Sequence, residues 1–191
     1  SFSAPLSRGP APDITQASAR TQIAPVIETR GRGPRPPDTV LAPADPLEAA
    51  LARGRIGRFM LLRELGRGAM GVVLAAYDEE LDRKVAIKLL HASRGVDASQ
   101  GQTMLLREAQ AMAKLAHPHV VAVHEVGVVA GSVFVAMEYV AGVDLQRWLA
   151  DKPRTWRDVV AALRQAGLGL VAAHREGLVH RDFKPTNVLV G

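Results

Sequence analysis

The stretch His180-Arg181-Asp182-Phe183-Lys184-Pro185-Thr186-Asn187 lies four residues before the sequence ends. It holds a carboxylate, a lysine two positions on and a side-chain amide five positions on. Phosphoryl transfer can use such a set: a base beside an acceptor hydroxyl, a cation for phosphate charge and an oxygen ligand for Mg²⁺. Alone, the stretch is only a polar loop. Its meaning depends on what surrounds it.

Working outward, Val188-Leu189-Val190 begins a strand. Upstream, Thr155 opens a helix that ends near Gly177, with Val159, Val160, Leu163, Leu170 and Val171 expected to face a core; Asp144 caps a shorter helix through Leu149. Val120 to Val129 and Val133 to Val140, separated by Ala130-Gly131-Ser132, read as a hairpin. Met104 to Leu115 has helical spacing, and His117-Pro118 ends it. Phe59 to Leu65, Val72 to Tyr77 and Val85 to Leu90 read as strands, the last two joined by the polar connection Asp78 to Lys84. The order predicts an α+β chain: a five-stranded antiparallel sheet with one helix, then a helical part.

Three features of the sheet half carry chemistry. Gly66-Arg67-Gly68-Ala69-Met70-Gly71-Val72-Val73 is a G-x-G-x-x-G-x-V pattern, and its glycines let backbone N–H groups approach phosphate oxygens. A dinucleotide-binding reading needs a helix at the third glycine, but Val72-Val73-Leu74 starts a strand. No Gly-Lys-Ser/Thr follows, which excludes a Walker loop. Lys88 sits in the apolar strand Val85-Ala86-Ile87-Lys88, where an ammonium needs either an anion or an edge open to water. Glu108 falls at the centre of a helical face made by Met104, Leu105, Ala111, Met112 and Leu115, with Leu106 outside it. The two anomalies cancel if they pair, and breaking such a buried pair typically costs about 3–5 kcal/mol.

Taken in order, these segments resemble the bacterial-type (Hanks-type) serine/threonine protein kinases. The loop at 180–187 is similar to the family's H-R-D-L-x-x-x-N motif, with Phe183 in the Leu place. His117-Pro118-His119-Val120 matches the junction after the regulatory helix, and Met137-Glu138-Tyr139-Val140-Ala141-Gly142-Val143-Asp144 resembles the hinge between lobes. The resemblance implies a bilobal fold, with residues 54–141 as the N-lobe and 142–191 as hinge and partial C-lobe. It implies ATP and Mg²⁺ as cofactors, protein Ser/Thr hydroxyls as acceptors, Asp182 and Lys184 as catalytic residues and Asn187 as a metal ligand. ATP would contact Leu65, Gly66, Gly68, Gly71, Val73, Ala86, Lys88, Glu108, Met137, Glu138, Val140, Asp144 and Leu189. Within that set the Glu138 and Val140 backbones would meet adenine, Met137 would stand behind it and Asp144 would reach the ribose. Lys184 speaks for Ser/Thr over tyrosine specificity, and Arg181 would pair with a phosphorylated activation loop.

The chain has 191 residues, 48% of them hydrophobic, with a net charge of +5 and no cysteine. That excludes a disulfide framework and thiolate metal sites, and it fits a cytoplasmic location. Aromatics make up only 4%, and no basic stripe interleaves with them, which argues against nucleic acid as a partner. His117, His119 and His124 lack ligand spacing. No apolar run is long enough to span a membrane. All but Pro118, Pro153 and Pro185 of the 12 prolines fall in residues 1–50, so residues 1–53 are expected to be a disordered Pro/Arg-rich tail carrying Thr15, Thr21, Thr29 and Thr39 as phosphorylation candidates. The stretch stops before any Asp-Phe-Gly, so a kinase fragment that is weak by itself is expected. The alternatives are a truncated pseudokinase that binds a nucleotide or partner, and a tail that itself recruits a partner.

Overall fold

The computed structural model describes residues 20–24, 51–68, 71–90 and 98–191. Most of the proline-rich stretch, with Thr15, Thr29 and Thr39, lies outside them, as do Ala69 and Met70 of the glycine loop.

The sheet half is built from β2 (Arg55–Ile56), β3 (Phe59–Gly68), β4 (Gly71–Asp78), β5 (Arg83–Leu90), β6 (Val123–Val129) and β7 (Ser132–Glu138), in the order β2-β3-β4-β5-β7-β6. All neighbours are antiparallel. The five expected strands are present, and the two-residue β2 adds an edge. β3 also runs longer than expected, through Gly66 and Gly68, because the glycine loop is the tip of the β3–β4 ribbon, where Gly68 pairs with Gly71.

Alternation along β5 decides which side of the sheet does what. Val85, Ile87 and Leu89 pack with Phe59, Val72, Leu74 and Phe134 on one face. Ala86 and Leu90 point the other way, against Leu105 and Ala109 of α1 (Ala98–Ala113), and Lys88 shares their side. At the far end of the sheet Arg58 reaches the fully buried Asp78 at 3.1 Å and Glu125 at 2.8 Å, joining β4 to β6 through one guanidinium.

The helical half holds α2 (Leu145–Asp151), capped by Asp144, and α3 (Trp156–Arg175), whose Thr155 and Asp158 form a reciprocal capping box. Both starts match the expected caps. The buried face of α3 does not match. Val160, Leu163 and Val171 are each about half exposed, while Ala162, Ala166, Gly169 and Ala173 are buried. Close approach explains the inversion: a Cβ on Gly169 would run into the carbonyl of His119, so only small residues fit where the helix meets its neighbours.

The second departure lies in the expected tail. Thr21–Ile23 forms a strand, β1, which pairs antiparallel with β9 (Val188–Val190), itself paired with β8 (Val143–Asp144). The order is β1-β9-β8. Thr21, Gln22 and Ile23 are all buried. No helix among the described residues is long and apolar enough to cross a membrane.

Candidate active site

The loop at 180–187 enters from α3 and leaves into β9, and its backbone is bent at Arg181, which has a positive φ of 58°. The Asp182 N–H donates to the His180 carbonyl at 2.7 Å, and a single helical turn, Pro185–Asn187, closes the loop. These bends gather the three polar residues. Lys184 Nζ lies 2.8 Å from Asp182 Oδ2, and Asn187 Nδ2 donates to the Asp182 carbonyl at 2.8 Å and to Oδ2 at 3.1 Å. With its amide nitrogen committed to Asp182, Asn187 has Oδ1 left to face a cation. The hydrogen bond from Lys184 holds the Asp182 carboxyl below the ordinary aspartate range, against a smaller opposing effect of burial, so Asp182 is ionised at neutral pH.

Lys88 joins this group from β5. Burial pulls its pKa below the ordinary lysine value, and the charges of Asp182 and then Glu108 oppose that fall. The loop carboxylate and the helix carboxylate thus both favour its ammonium form.

The apolar positions read from the sequence also converge. Ala86 and Met137 are buried in one cluster against which Val73, Val140 and Leu189 pack. Gly66 and Gly68 border open space, so a ligand can approach their backbone closely, whereas a side chain on Gly71 would strike the Leu89 carbonyl. Leu65 is exposed at the mouth. Two hinge residues have other commitments. The Glu138 N–H donates to Ala122 O at 2.8 Å, so a bond from its backbone rests with its carbonyl, and Asp144 Oδ1 caps α2 through the Arg147 N–H at 2.9 Å.

Sequence reasoning missed the contacts of β1. Gln22 Nε2 donates to Glu138 Oε2 at 3.0 Å, and His180 Nε2 lies 2.9 Å from the Ala24 carbonyl, to which it must be the donor. In the neutral ring that leaves Nδ1 as the unprotonated nitrogen, and it is buried without a hydrogen-bond partner. Burial pushes the His180 pKa down, and Lys88 adds to this, while the Ala24 bond and Asp182 oppose it. The folded chain thus binds fewer protons than the unfolded one as pH falls below about 6.5, and His180 withdraws stability on acidification. The urea midpoint is expected to drop between about pH 7 and 5.5. In His180→Gln the drop should be smaller, and an equal drop would remove His180 as its source.

A cavity of about 360 Å³ lies between α1 and the start of the loop, lined by Ile23, Ala24, Glu108, Met112, His180 and Arg181 among others. Among the described residues no cluster of three or more His, Cys, Asp or Glu side chains is placed to hold a metal by itself. Asn187 with a phosphate-bearing ligand remains a fitting donor set for Mg²⁺, which takes part of its coordination from phosphates.

Comparison with known proteins agrees with this geometry. The protein kinase domain model matches residues 59–191. Serine/threonine-protein kinase PknE of Mycobacterium tuberculosis (strain H37Rv) is 40% identical over 137 residues, covering 71% of this chain and 24% of PknE. Probable serine/threonine-protein kinase PknA2 of Bifidobacterium longum is 39% identical over 137 residues, covering 70% of this chain and 18% of that protein. PrkC of Bacillus subtilis is 35% identical over 135 residues, with coverages of 70% and 21%. The chain thus spans about a fifth of the length of these relatives. Among solved structures, the Mycobacterium tuberculosis PknI kinase domain superposes with a TM-score of 0.60 at 32% identity, covering 69% of this chain and 53% of that domain. The chain belongs to the protein kinase domain family, alongside bacterial serine/threonine kinases.

Proposed function

We propose that this chain forms the nucleotide-binding and catalytic-loop part of an ATP-dependent protein serine/threonine kinase. The observation that carries the reading is the convergence of Lys88, Asp182, Lys184 and Asn187 from two elements distant in sequence. Bound ATP with Mg²⁺ supplies the phosphoryl group and part of the charge neutralisation. Lys88, kept charged by Asp182 and Glu108, binds the phosphates, and the Gly66 and Gly68 backbone covers them. Ala86, Val73, Met137, Val140 and Leu189 offer an apolar slot for the base. Asp182 accepts a hydrogen bond from a Ser or Thr hydroxyl, orients it and takes its proton, while Lys184 turns from Asp182 toward the transferring phosphate. Asn187 Oδ1 would hold a metal ion that the phosphates share. A cytoplasmic location goes with this reading, because ATP is held there.

The test is nucleotide binding and label transfer from γ-labelled ATP, with Mg²⁺, to Ser and Thr of a protein acceptor. Lys88→Met removes a charge-assisted contact worth about 1.5–3 kcal/mol, so ATP is expected to bind roughly ten- to hundred-fold more weakly. Unchanged ATP affinity in Lys88→Met would reject the site. Tight binding without transfer in any form of the protein would favour the pseudokinase reading.

A further inference from the structure

The strand β1 has a place in the fold that the kinase reading does not use. It is bonded along both edges. On one side it pairs with β9, and the Ala24 N–H donates to Asn187 O at 2.9 Å. On the other, the Ile23 N–H donates to His119 O and the Val121 N–H to Ile23 O, each at 3.0 Å. Its side chains reach further: Gln22 holds Glu138 of the hinge, and the Thr21 N–H is capped by Gln165 of α3 at 2.8 Å. One five-residue segment, Arg20 to Ala24, therefore ties together the hinge, the chain leaving α1, α3 and the loop that carries Asp182.

Within this strap one group stands apart. Thr21 is fully buried, and its Oγ1 has no hydrogen-bond partner. By strand alternation it shares a face with Ile23, which packs on Ala162 and Ala166 of α3, the face where only small residues fit. The next residue already touches the Glu138 carboxylate. A phosphoryl group brings three oxygens and about −1.5 to −2 charge, for which this position offers neither room nor a satisfied donor set.

We propose that Thr21 is a phosphorylation-controlled latch: the strap docks while its hydroxyl is bare and is held out once it is phosphorylated. In the reaction a bond forms between Thr21 Oγ1 and the γ-phosphorus of ATP, the bond from that phosphorus to the bridging oxygen breaks to leave ADP, and the hydroxyl proton passes to the kinase base. Docked Thr21 is out of reach, so the enzyme acts on the released strap, and the product is trapped there. That this protein's own kind of activity supplies the phosphate rests on the reading above; the latch itself does not.

The experiment therefore installs phosphothreonine at position 21 of the whole chain by codon reassignment, and compares it with the unmodified chain and with Thr21→Val. Amide hydrogen exchange is read at Ile23, Ala24, Val121 and Gly191, whose N–H groups are bonded only when the strap is docked, with β4 and β5 as the internal reference. Phosphothreonine should speed exchange at the four amides roughly tenfold or more and leave β4 and β5 unchanged, and Thr21→Val should be as protected as the unmodified chain. Unchanged exchange with phosphothreonine overturns the proposal. So does loss of protection spreading through β4 and β5, since the strand would then be an indispensable part of the core. Equal loss in Thr21→Val also overturns it, since the hydroxyl and not the added charge would be responsible.

Discussion

Asp182→Asn is expected to slow phosphoryl transfer about 10²–10⁴-fold while leaving ATP affinity nearly unchanged. The substitution keeps the shape of the side chain and removes its charge, so the hydroxyl loses its proton acceptor. It also releases Lys184, whose ammonium lies 2.8 Å from Oδ2, and Asn187, whose amide donates to the same oxygen. The loop should remain closed, because Asn187 also bonds the Asp182 carbonyl, which the substitution does not alter. Single-turnover labelling with prebound nucleotide separates the two effects. A variant that transfers at the parent rate would remove Asp182 from the chemistry.

Gly71→Ala should cost on the order of 3 kcal/mol of stability, and with it much of the nucleotide affinity. Gly71 has φ of 135°, and an added Cβ would meet the Leu89 carbonyl, a backbone atom with nowhere to go. Relief has to come from parting β4 and β5 where Gly71 stands opposite Leu90, two pairs along the ladder from Val73 and Lys88. The glycine loop then moves relative to the ammonium it works beside. Chemical denaturation should show the loss of stability, and an ATP titration in the fraction still folded should show weaker binding. Gly66→Ala is a suitable contrast, because nothing lies within 4 Å of its Cβ position.

What the sequence made legible were residues whose type clashes with their surroundings. An ammonium in an apolar strand and a carboxylate in an apolar helix face are anomalies that local pattern exposes, and the structure sets Lys88 where Glu108 and Asp182 both act on its charge. Caps were legible for the same reason, as Asp144 and Thr155 each satisfy backbone donors within three residues. The face of α3 was misread because hydrophobic periodicity weights side chains by size, whereas the packing at Gly169 is decided by how close two backbones come. The strand at Thr21–Ile23 was invisible from local pattern. Three residues among prolines carry almost no propensity, and their partners lie about a hundred residues or more away in sequence. The commitment of the Glu138 N–H to Ala122 was hidden likewise, since a strand-end bond appears only when neighbours are placed.

Arg20 and Gly191 exchange both backbone hydrogen bonds, at 2.7 and 3.1 Å, so β1 and β9 bring opposite ends of the described chain into register. Pairing of such high contact order is slow to form, because the entropy of closing a long loop is spent before any contact repays it. The local hairpins β3–β4 and β6–β7 bear no such burden, nor does α3. Among the described residues the small sheet is accordingly expected to assemble after these local pieces, and on the ribosome β1 waits unpaired until β9 has emerged. The loop bearing Asp182 thus acquires its final support only when nearly every residue described here has been synthesised.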